Sequence, residues 1–234
     1  MVCRLKNLVG NGMQPGSTDS AELARLARDL YVEGPYLMRK LMHYRIHICP
    51  FERLIQHVSP GNSVLDVGCG AGLFLALVAG TVPDVNAVGF DSSTPAIETA
   101  LLMAKRVKAK GFNAKLTFSR LATSDPWPSA AFDVVSLVDV MHHIPPAYQK
   151  SVFGTAIQRV KPGGALLYKD MADHPAFHAG MNRLHDLVLA RQWINYVPVG
   201  TADEWARELG FVADQKESIS RLWYQHDLRI YRRA

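Results

Sequence analysis

The strongest constraint on the fold of this 234-residue chain is a glycine-rich run between two apolar segments. Residues 63–67 form a short apolar run, Gly68, Gly70 and Gly72 follow at alternate positions, and residues 73–79 are apolar again. This order predicts a buried strand, a tight turn and a helix. Glycine lets the main chain turn sharply and lets a ligand approach it closely. The run therefore predicts an α/β fold with a ligand site at the carboxyl end of its first strand.

Short apolar runs alternate with helical patterns along the rest of the chain. They predict six further strands, over residues 85–90, 116–119, 132–138, 165–169, 211–216 and 222–231. Short strands that are apolar on both faces are typical of a parallel sheet covered by helices. A capping-box pattern at Thr201 and Glu204 predicts the start of the last helix. We therefore predict a Rossmann-like α/β fold with a seven-stranded, mostly parallel sheet, helices on both faces and an antiparallel C-terminal strand.

Residues 1–20 are rich in Gly, Asn, Ser and Pro, and a helical pattern follows them up to the first predicted strand. Apolar residues recur at helical spacing from a capping position at Ser20 to Val58, including a regular segment over residues 36–48. We therefore predict an N-terminal helical cap over residues 1–60 and a ligand-binding domain over residues 61–234.

Composition and charge exclude several other classes of protein. Only 20% of the residues are charged, the net charge is +5 and the basic residues are dispersed, so we expect no nucleic-acid partner. The three cysteines are widely spaced, which favours a reducing compartment. The first residues lack the apolar core of a signal peptide, and no apolar run reaches the roughly 18 residues of a membrane span. We therefore expect a cytoplasmic protein without stable membrane insertion.

Two classes of ligand use a strand, glycine turn and helix of this kind. A dinucleotide fingerprint needs its third glycine at the position that Leu73 occupies. Asp66, near the end of the first predicted strand, would face a pyrophosphate unfavourably, whereas a carboxylate suits a cationic ligand. S-adenosylmethionine is such a ligand, because it carries a sulfonium and an ammonium group. The residues favour it, and a nucleotide-dependent oxidoreductase or epimerase is the alternative that they leave open.

The same run resembles the first motif of the class I S-adenosylmethionine-dependent methyltransferase family, which matches Val64–Leu73. The segments that begin at Phe132 and Val160 resemble the family's fourth strand and the turn before its fifth. The resemblance covers about residues 63–169 and implies the activity, methyl transfer to a small-molecule acceptor through an oxygen or nitrogen nucleophile. A non-catalytic module that binds S-adenosylmethionine is the second alternative.

The resemblance also implies which residues contact the cofactor. Asp91, at the end of the second predicted strand, is expected to accept both ribose hydroxyls, and the competing interpretation makes it the N-cap of the helix from Thr94. The full set expected to bind the cofactor is Asp66, Gly68, Cys69, Gly70, Gly72, Asp91, Ser92, Leu121, Ala122 and Val138.

The chain departs from the family pattern after the third predicted strand. Many relatives have an acidic residue there that binds the adenine amino group, but this chain has Leu121 or Ala122 at that position. Asp125 is close in sequence to a Pro-Trp-Pro turn. We therefore expect backbone N–H groups to contact the adenine ring edge.

Candidate catalytic residues follow the fourth predicted strand. Histidine titrates near neutral pH and can take a proton from a hydroxyl or phenol. His143 is our first candidate for a general base and His142 our second. For either residue alone, a packing or capping role is the alternative interpretation.

The acceptor is expected to bind beyond the fifth predicted strand. The family often inserts acceptor-binding structure there, so we interpret residues 171–200 as an acceptor lid for a small or lipid-like molecule. The residues expected to bind it are Asp139, Asp170, Phe177, Trp193 and Tyr196. Ordinary helix packing is the alternative for the aromatic residues, and we predict no metal because no spacing of histidines and carboxylates is diagnostic.

Arg45, in the predicted helix over residues 36–48, has two interpretations. It could meet the methionine carboxylate of the cofactor, but we favour a solvated surface position because nothing in its helical pattern distinguishes it from other basic residues.

Overall fold

A computed structural model of the chain describes residues 19–171, 195–222 and 224–234. Its strands are β1 Ser63–Val67, β2 Val85–Asp91, β3 Ala114–Arg120, β4 Phe132–Val138, β5 Val160–Met171, β6 Phe211–Arg221 and β7 Tyr224–Arg233. The helices within these ranges are α1 Ser20–Leu30, α2 Tyr36–Ile48, α3 Phe51–Ile55, α4 Leu73–Thr81, α5 Thr94–Ala109, α6 Pro146–Gln158 and α7 Val199–Glu208, and a 3₁₀ turn spans Met141–His143.

The strands form one seven-stranded sheet in the order β3-β2-β1-β4-β5-β7-β6. Strands β1 to β5 pair in parallel, and β7 pairs antiparallel with both β5 and β6. The expected Rossmann-like fold with an antiparallel C-terminal strand is confirmed. The strand order reverses between β1 and β4, and ligands in such sheets bind at the carboxyl ends of the strands on either side of this switch point.

Successive side chains of the central strands point alternately into two separate apolar cores, one on each face of the sheet. In β1, Val64 belongs to the core that α1 to α5 cover, whereas Leu65 belongs to the core beneath α6 and α7. In β4, Val134 and Val135 divide in the same way. Neighbouring residues of a strand point to opposite faces of the sheet, so strands covered on both faces must be apolar throughout. This explains why the strands are visible in the sequence as continuous apolar runs.

Two helix caps differ from the predicted ones. Asp19, not Ser20, caps α1, and its carboxylate accepts a hydrogen bond from the Ala21 N–H at 3.3 Å. Helix α7 begins two residues before Thr201, after Pro198, and no side chain caps it. The Thr201 N–H instead donates to the Pro198 carbonyl at 2.9 Å, so Thr201 lies inside the first turn and the predicted capping box is wrong.

A polar cluster joins β1, β4 and β5 near the amino-terminal ends of these strands. The Asp133 carboxylate in β4 accepts hydrogen bonds from the Ser63 N–H at 2.8 Å and the Ser63 hydroxyl at 2.6 Å. The Lys161 ammonium in β5 lies 3.0 Å from the same oxygen. Burial opposes ionisation of Asp133, but the bonds from Ser63 and the charge of Lys161 outweigh it and lower its pKa to about 2. The cluster therefore stabilises the sheet at the edge opposite to the carboxyl ends.

We predict that Asp133→Ala lowers the free energy of unfolding by about 1–3 kcal/mol at pH 7, because it leaves the Ser63 donors and Lys161 without their acceptor. A carboxyl group with a lowered pKa stabilises the fold above its unfolded pKa of about 3.9, and this contribution is lost as the pH falls towards 2. The difference from wild type in urea unfolding should therefore shrink between pH 4 and pH 2.

Asp214→Ala is the matched control, because Asp214 makes an exposed ion pair with Arg232 at 3.3 Å. Such pairs contribute about 0–1 kcal/mol. Equal losses in the two variants would contradict the role given to Asp133.

Candidate active site

Three glycines with positive φ shape the loop between β1 and α4. Their φ angles are 66° at Gly68, 54° at Gly70 and 78° at Gly72, a region that favours glycine. A Cβ on Gly68 would lie 2.3 Å from Val140 Cγ2, and one on Gly72 would lie 2.9 Å from the Phe118 ring. A Cβ on Gly70 would have no atom within 4 Å. Packing therefore requires the outer two glycines, whereas Gly70 borders open space.

Asp91 lies at the end of β2, directly beside this loop. Its carboxylate accepts hydrogen bonds from the Gly70 N–H at 2.9 Å and the Ser93 N–H at 2.8 Å. The N-cap of α5 is Ser93, whose hydroxyl accepts a hydrogen bond from the Ala96 N–H at 3.4 Å. The capping interpretation of Asp91 is therefore wrong, and the carboxylate links the second strand to the glycine loop.

A cavity of about 370 Å³ opens at the carboxyl ends of β1, β2 and β4. Its wall includes eight residues expected at the site from the sequence, namely Gly68, Gly70, Asp91, Ser92, Leu121, Ala122, Asp139 and His143. It also includes Arg45, for which the sequence analysis favoured a surface position, and five residues that sequence reasoning missed: Phe90, Ser93, Thr123, Val140 and Ile144. Most of the missed residues are chain neighbours of expected ones, so a wider window around each motif would have found them.

Four residues of the expected cofactor set do not line this cavity. Gly72 packs against Phe118, Cys69 is buried beside Gly89, and Val138 is buried in the core. Asp66 is 2% exposed and accepts a hydrogen bond from the Ser136 hydroxyl of the neighbouring strand at 2.7 Å.

Burial raises the pKa of Asp66 to about 7, although the hydrogen bond from Ser136 favours its ionised form. A nearby cationic ligand would shift Asp66 further towards the carboxylate. The residue therefore remains suited to a cationic ligand through its charge, while its contact with one stays a prediction.

The backbone N–H groups that were expected to contact the adenine ring already donate hydrogen bonds within the protein. The Leu121 N–H donates to the Asp91 carbonyl at 3.1 Å, and the Ala122 N–H donates to the Asp125 carboxylate at 2.8 Å. Asp125 therefore holds the turn after β3 in place. Leu121 and Ala122 present half-buried apolar side chains to the cavity, and these can pack on a flat ring.

The two candidate histidines occupy different environments in the 3₁₀ turn after β4. His142 is buried, its Nδ1 pairs with the Asp170 carboxylate, and its backbone N–H donates to the same carboxylate at 3.2 Å. His143 is exposed and lines the cavity, and its ring centroid lies 4.1 Å from that of His142. Asp170 is 3% exposed and therefore holds the turn from below, away from the cavity.

A charged group lies on the cavity wall where β4 ends. The Arg45 guanidinium of α2 pairs with Asp139 Oδ2 at 2.7 Å, and the Lys169 ammonium pairs with Asp139 Oδ1 at 2.5 Å. Burial opposes ionisation of Asp139, but Lys169 and Arg45 together lower its pKa well below its usual range. Arg45 is paired with Asp139 and lines the cavity, so it is not the solvated surface arginine that the sequence analysis favoured.

The expected acceptor residues are only partly described. Phe177 and Trp193 lie outside the described residues, together with most of the expected lid. Tyr196 is half-buried and packs against the small apolar cluster of Met171 and Tyr224, next to the carboxyl end of β5.

Across residues 19–171, 195–222 and 224–234, no three His, Cys, Asp or Glu side chains form a group that could hold a metal ion. Within the same ranges, no helix has the length and apolar character needed to cross a membrane.

Comparison with known proteins identifies the family. A family described as a methyltransferase domain matches residues 39–216, which is more than half of the chain. The chain therefore belongs to this family, and the resemblance to class I S-adenosylmethionine-dependent methyltransferases is confirmed. The oxidoreductase alternative is not supported.

Individual relatives agree with this assignment. The chain is 30% identical over 167 residues to a ubiquinone biosynthesis O-methyltransferase of Alkalilimnicola ehrlichii, covering 68% of this chain and 64% of that protein. It thus spans slightly less than two thirds of the length of this relative.

Solved structures share the fold. An O-methyltransferase family protein from Burkholderia thailandensis has a TM-score of 0.62 and 24% identity, over 85% of this chain and 56% of that one. Magnesium protoporphyrin IX methyltransferase from Synechocystis PCC 6803 has a TM-score of 0.66 and 16% identity, over 90% of this chain and 94% of that one.

We predict that Gly70→Ala weakens the binding of S-adenosylhomocysteine at least tenfold, measured by calorimetry, because the new methyl group enters the open space of the cavity. The positive φ costs an alanine about 1–2 kcal/mol of stability. Gly111→Ala is the matched control, because Gly111 has a φ of 75° and a Cβ there would also meet nothing within 4 Å. It should lose similar stability and bind normally. Unchanged binding by Gly70→Ala would show that the ligand does not approach this loop.

Proposed function

We propose that this protein transfers the methyl group of S-adenosylmethionine to a small-molecule acceptor through an oxygen or nitrogen nucleophile. The observation that carries the proposal is the hydrogen bond between Asp91 and the Gly70 N–H, which joins the carboxylate and the open glycine loop in one cavity wall. Membership of the methyltransferase-domain family supports it independently.

The residues present fit the adenosine part of the cofactor. Each oxygen of the Asp91 carboxylate accepts one backbone N–H, and each keeps a further lone-pair site for a ribose hydroxyl. Gly70 leaves the open space that a ligand next to the main chain requires. Leu121 and Ala122 offer an apolar surface to the adenine ring.

The opposite end of the cavity fits the amino-acid part. Arg45 and Asp139 lie together on the wall, and the Arg45 guanidinium carries a charge that complements a carboxylate. When bound, the cofactor supplies an electrophilic methyl group on a sulfonium leaving group. The protein aligns the acceptor with that methyl group, and alignment of this kind contributes up to roughly 7–11 kcal/mol in favourable cases.

His143 is our first candidate for the general base, because it is exposed to the cavity beside Asp139. It would take the proton from a hydroxyl, phenol or amine of the acceptor. His142 stays the second candidate, but its pairing with Asp170 suits it to hold the turn.

We infer a small, mostly apolar or lipid-like acceptor that binds near Met171, Tyr196 and Tyr224. The name of the Alkalilimnicola ehrlichii relative favours oxygen as the nucleophile. Residues 1–60 as a helical cap and 171–200 as an acceptor lid belong to the same proposal, as does a cytoplasmic location.

Asp91→Ala tests the cofactor assignment. We expect micromolar binding of S-adenosylmethionine and S-adenosylhomocysteine by the wild type, and at least tenfold weaker binding by the variant, because hydrogen bonds to a charged group contribute about 1.5–3 kcal/mol. Calorimetry measures both, with NAD as the control ligand and Asp214→Ala as the control variant. Binding of NAD alone would overturn the proposal.

His143→Gln tests the chemistry. With the best acceptor from a panel of catechols and phenols, kcat should fall roughly 10²–10⁴-fold while the affinity for S-adenosylhomocysteine stays within about threefold. His142→Gln should instead lower the thermal midpoint, because the buried Asp170 carboxylate loses the imidazole that it pairs with. Unchanged kcat in His143→Gln would remove this residue as the base. A wild type that binds the cofactor but methylates no acceptor would favour the non-catalytic alternative.

A further inference from the structure

Lys169 is a buried cation that lies directly behind the cavity wall. It is 1% exposed, and its ammonium is 2.5 Å from Asp139 Oδ1. The Asp139 N–H also donates to the Lys169 carbonyl at 2.8 Å. Side chain and backbone therefore both fix Asp139 to β5, although Asp139 has an unfavourable φ of 56°.

The Asp139 carboxylate is divided between two cations. Lys169 takes Oδ1 and Arg45 takes Oδ2, so each cation holds one oxygen. Two positive charges and one negative charge leave the group with one excess positive charge. Of the three side chains, Arg45 and Asp139 line the cavity and Lys169 does not.

Neighbouring ionisable groups offset this excess only in part. Asp170 pairs with His142. Burial raises the pKa of Asp66, which accepts a hydrogen bond from the Ser136 hydroxyl, to about 7, so Asp66 is only partly ionised at pH 7. His226 is 2% exposed, and burial together with Lys169 lowers its pKa to about 3, so it is neutral at pH 7. Cys49 is a buried thiol whose pKa burial raises to about 11.

The sharing of the Asp139 carboxylate between two cations decides how many guanidinium N–H donors of Arg45 remain for a ligand. An arginine and a carboxylate alone tend to form a bidentate pair, which uses two N–H donors and neutralises both charges. Because Lys169 occupies Oδ1, Arg45 binds Asp139 through Nη2 at one oxygen. The remaining guanidinium N–H groups can then bind an anionic group in the cavity.

We propose that Lys169 is a positioning residue that holds Asp139 so that Arg45 stays available for a carboxylate in the cavity. The inference rests on the proposed function, since the carboxylate is that of the amino-acid part of the cofactor. Lys169 touches no ligand and acts through the charge that it leaves on Arg45.

Lys169→Met tests this role with two ligands. S-adenosylhomocysteine has the amino-acid part with its carboxylate, whereas methylthioadenosine has the same nucleoside and sulfur but neither the carboxylate nor the ammonium group. In the variant, the charges of Arg45 and Asp139 neutralise each other. We therefore expect roughly tenfold weaker binding of S-adenosylhomocysteine and unchanged binding of methylthioadenosine. Calorimetry measures both affinities.

Lys161→Met is the matched control, because Lys161 lies on the same strand and pairs with Asp133 at 3.0 Å at the opposite edge of the sheet. It should bind both ligands like the wild type. Lys169→Arg keeps the charge and should restore the preference for S-adenosylhomocysteine.

Each other outcome overturns the inference. Equal affinity of Lys169→Met and wild type for S-adenosylhomocysteine would show that Lys169 has no such role, and equal weakening of both ligands would show only general damage to the cavity. A wild type that binds neither ligand would overturn the proposed function as well. Should Lys169→Met not fold, the wild type decides with a third ligand, S-adenosyl-3-thiopropylamine, which lacks only the carboxylate of S-adenosylhomocysteine. The wild type must bind S-adenosylhomocysteine more tightly than this ligand, and equal binding rejects the inference.

Discussion

The reversal of strand order between β1 and β4 is the constraint on which the rest of the site depends. Connections from neighbouring strands leave in opposite directions at such a point, so a crevice opens above their carboxyl ends. The glycine loop after β1, the carboxylate that ends β2 and the 3₁₀ turn after β4 all border this crevice. None of these segments carries the site alone, because each supplies a different chemical group to one cavity.

The interior changes character around this crevice. Both cores beneath the helices are apolar, whereas three of the buried ionisable side chains, Asp66, Lys169 and Asp170, lie at or near the carboxyl ends of their strands. Burying a charge is unfavourable unless it is paired or hydrogen-bonded. Each of these residues has such a partner on a neighbouring strand or turn, so the sheet supports polar groups where a polar ligand would bind.

Local patterns explain which elements could be predicted from the sequence. The bounds of β1, β4 and α2 match the predicted ones. The two strands are continuous apolar runs because both their faces are buried, whereas in α2 the buried residues are Met42 and Ile46, and the apolar Leu37 and Leu41 are exposed. Gly70 and Asp91 were predictable for a similar reason, since each belongs to a local motif. Arg45 and Lys169 were not, because they meet Asp139 across 94 and 30 residues of chain, and no short pattern encodes such a pairing.

The Tyr31 hydroxyl, which is buried at the end of α1, donates a hydrogen bond to the Ala71 carbonyl at 2.8 Å. Ala71 lies inside the glycine loop, so the N-terminal helices hold one side of that loop and β2 holds the other through Asp91. A ligand that rigidifies the loop must then also tighten the docking of α1. Occupancy of the cavity is thereby coupled to protection of the N-terminal helices against amide exchange and proteolysis, at a distance from the ligand itself.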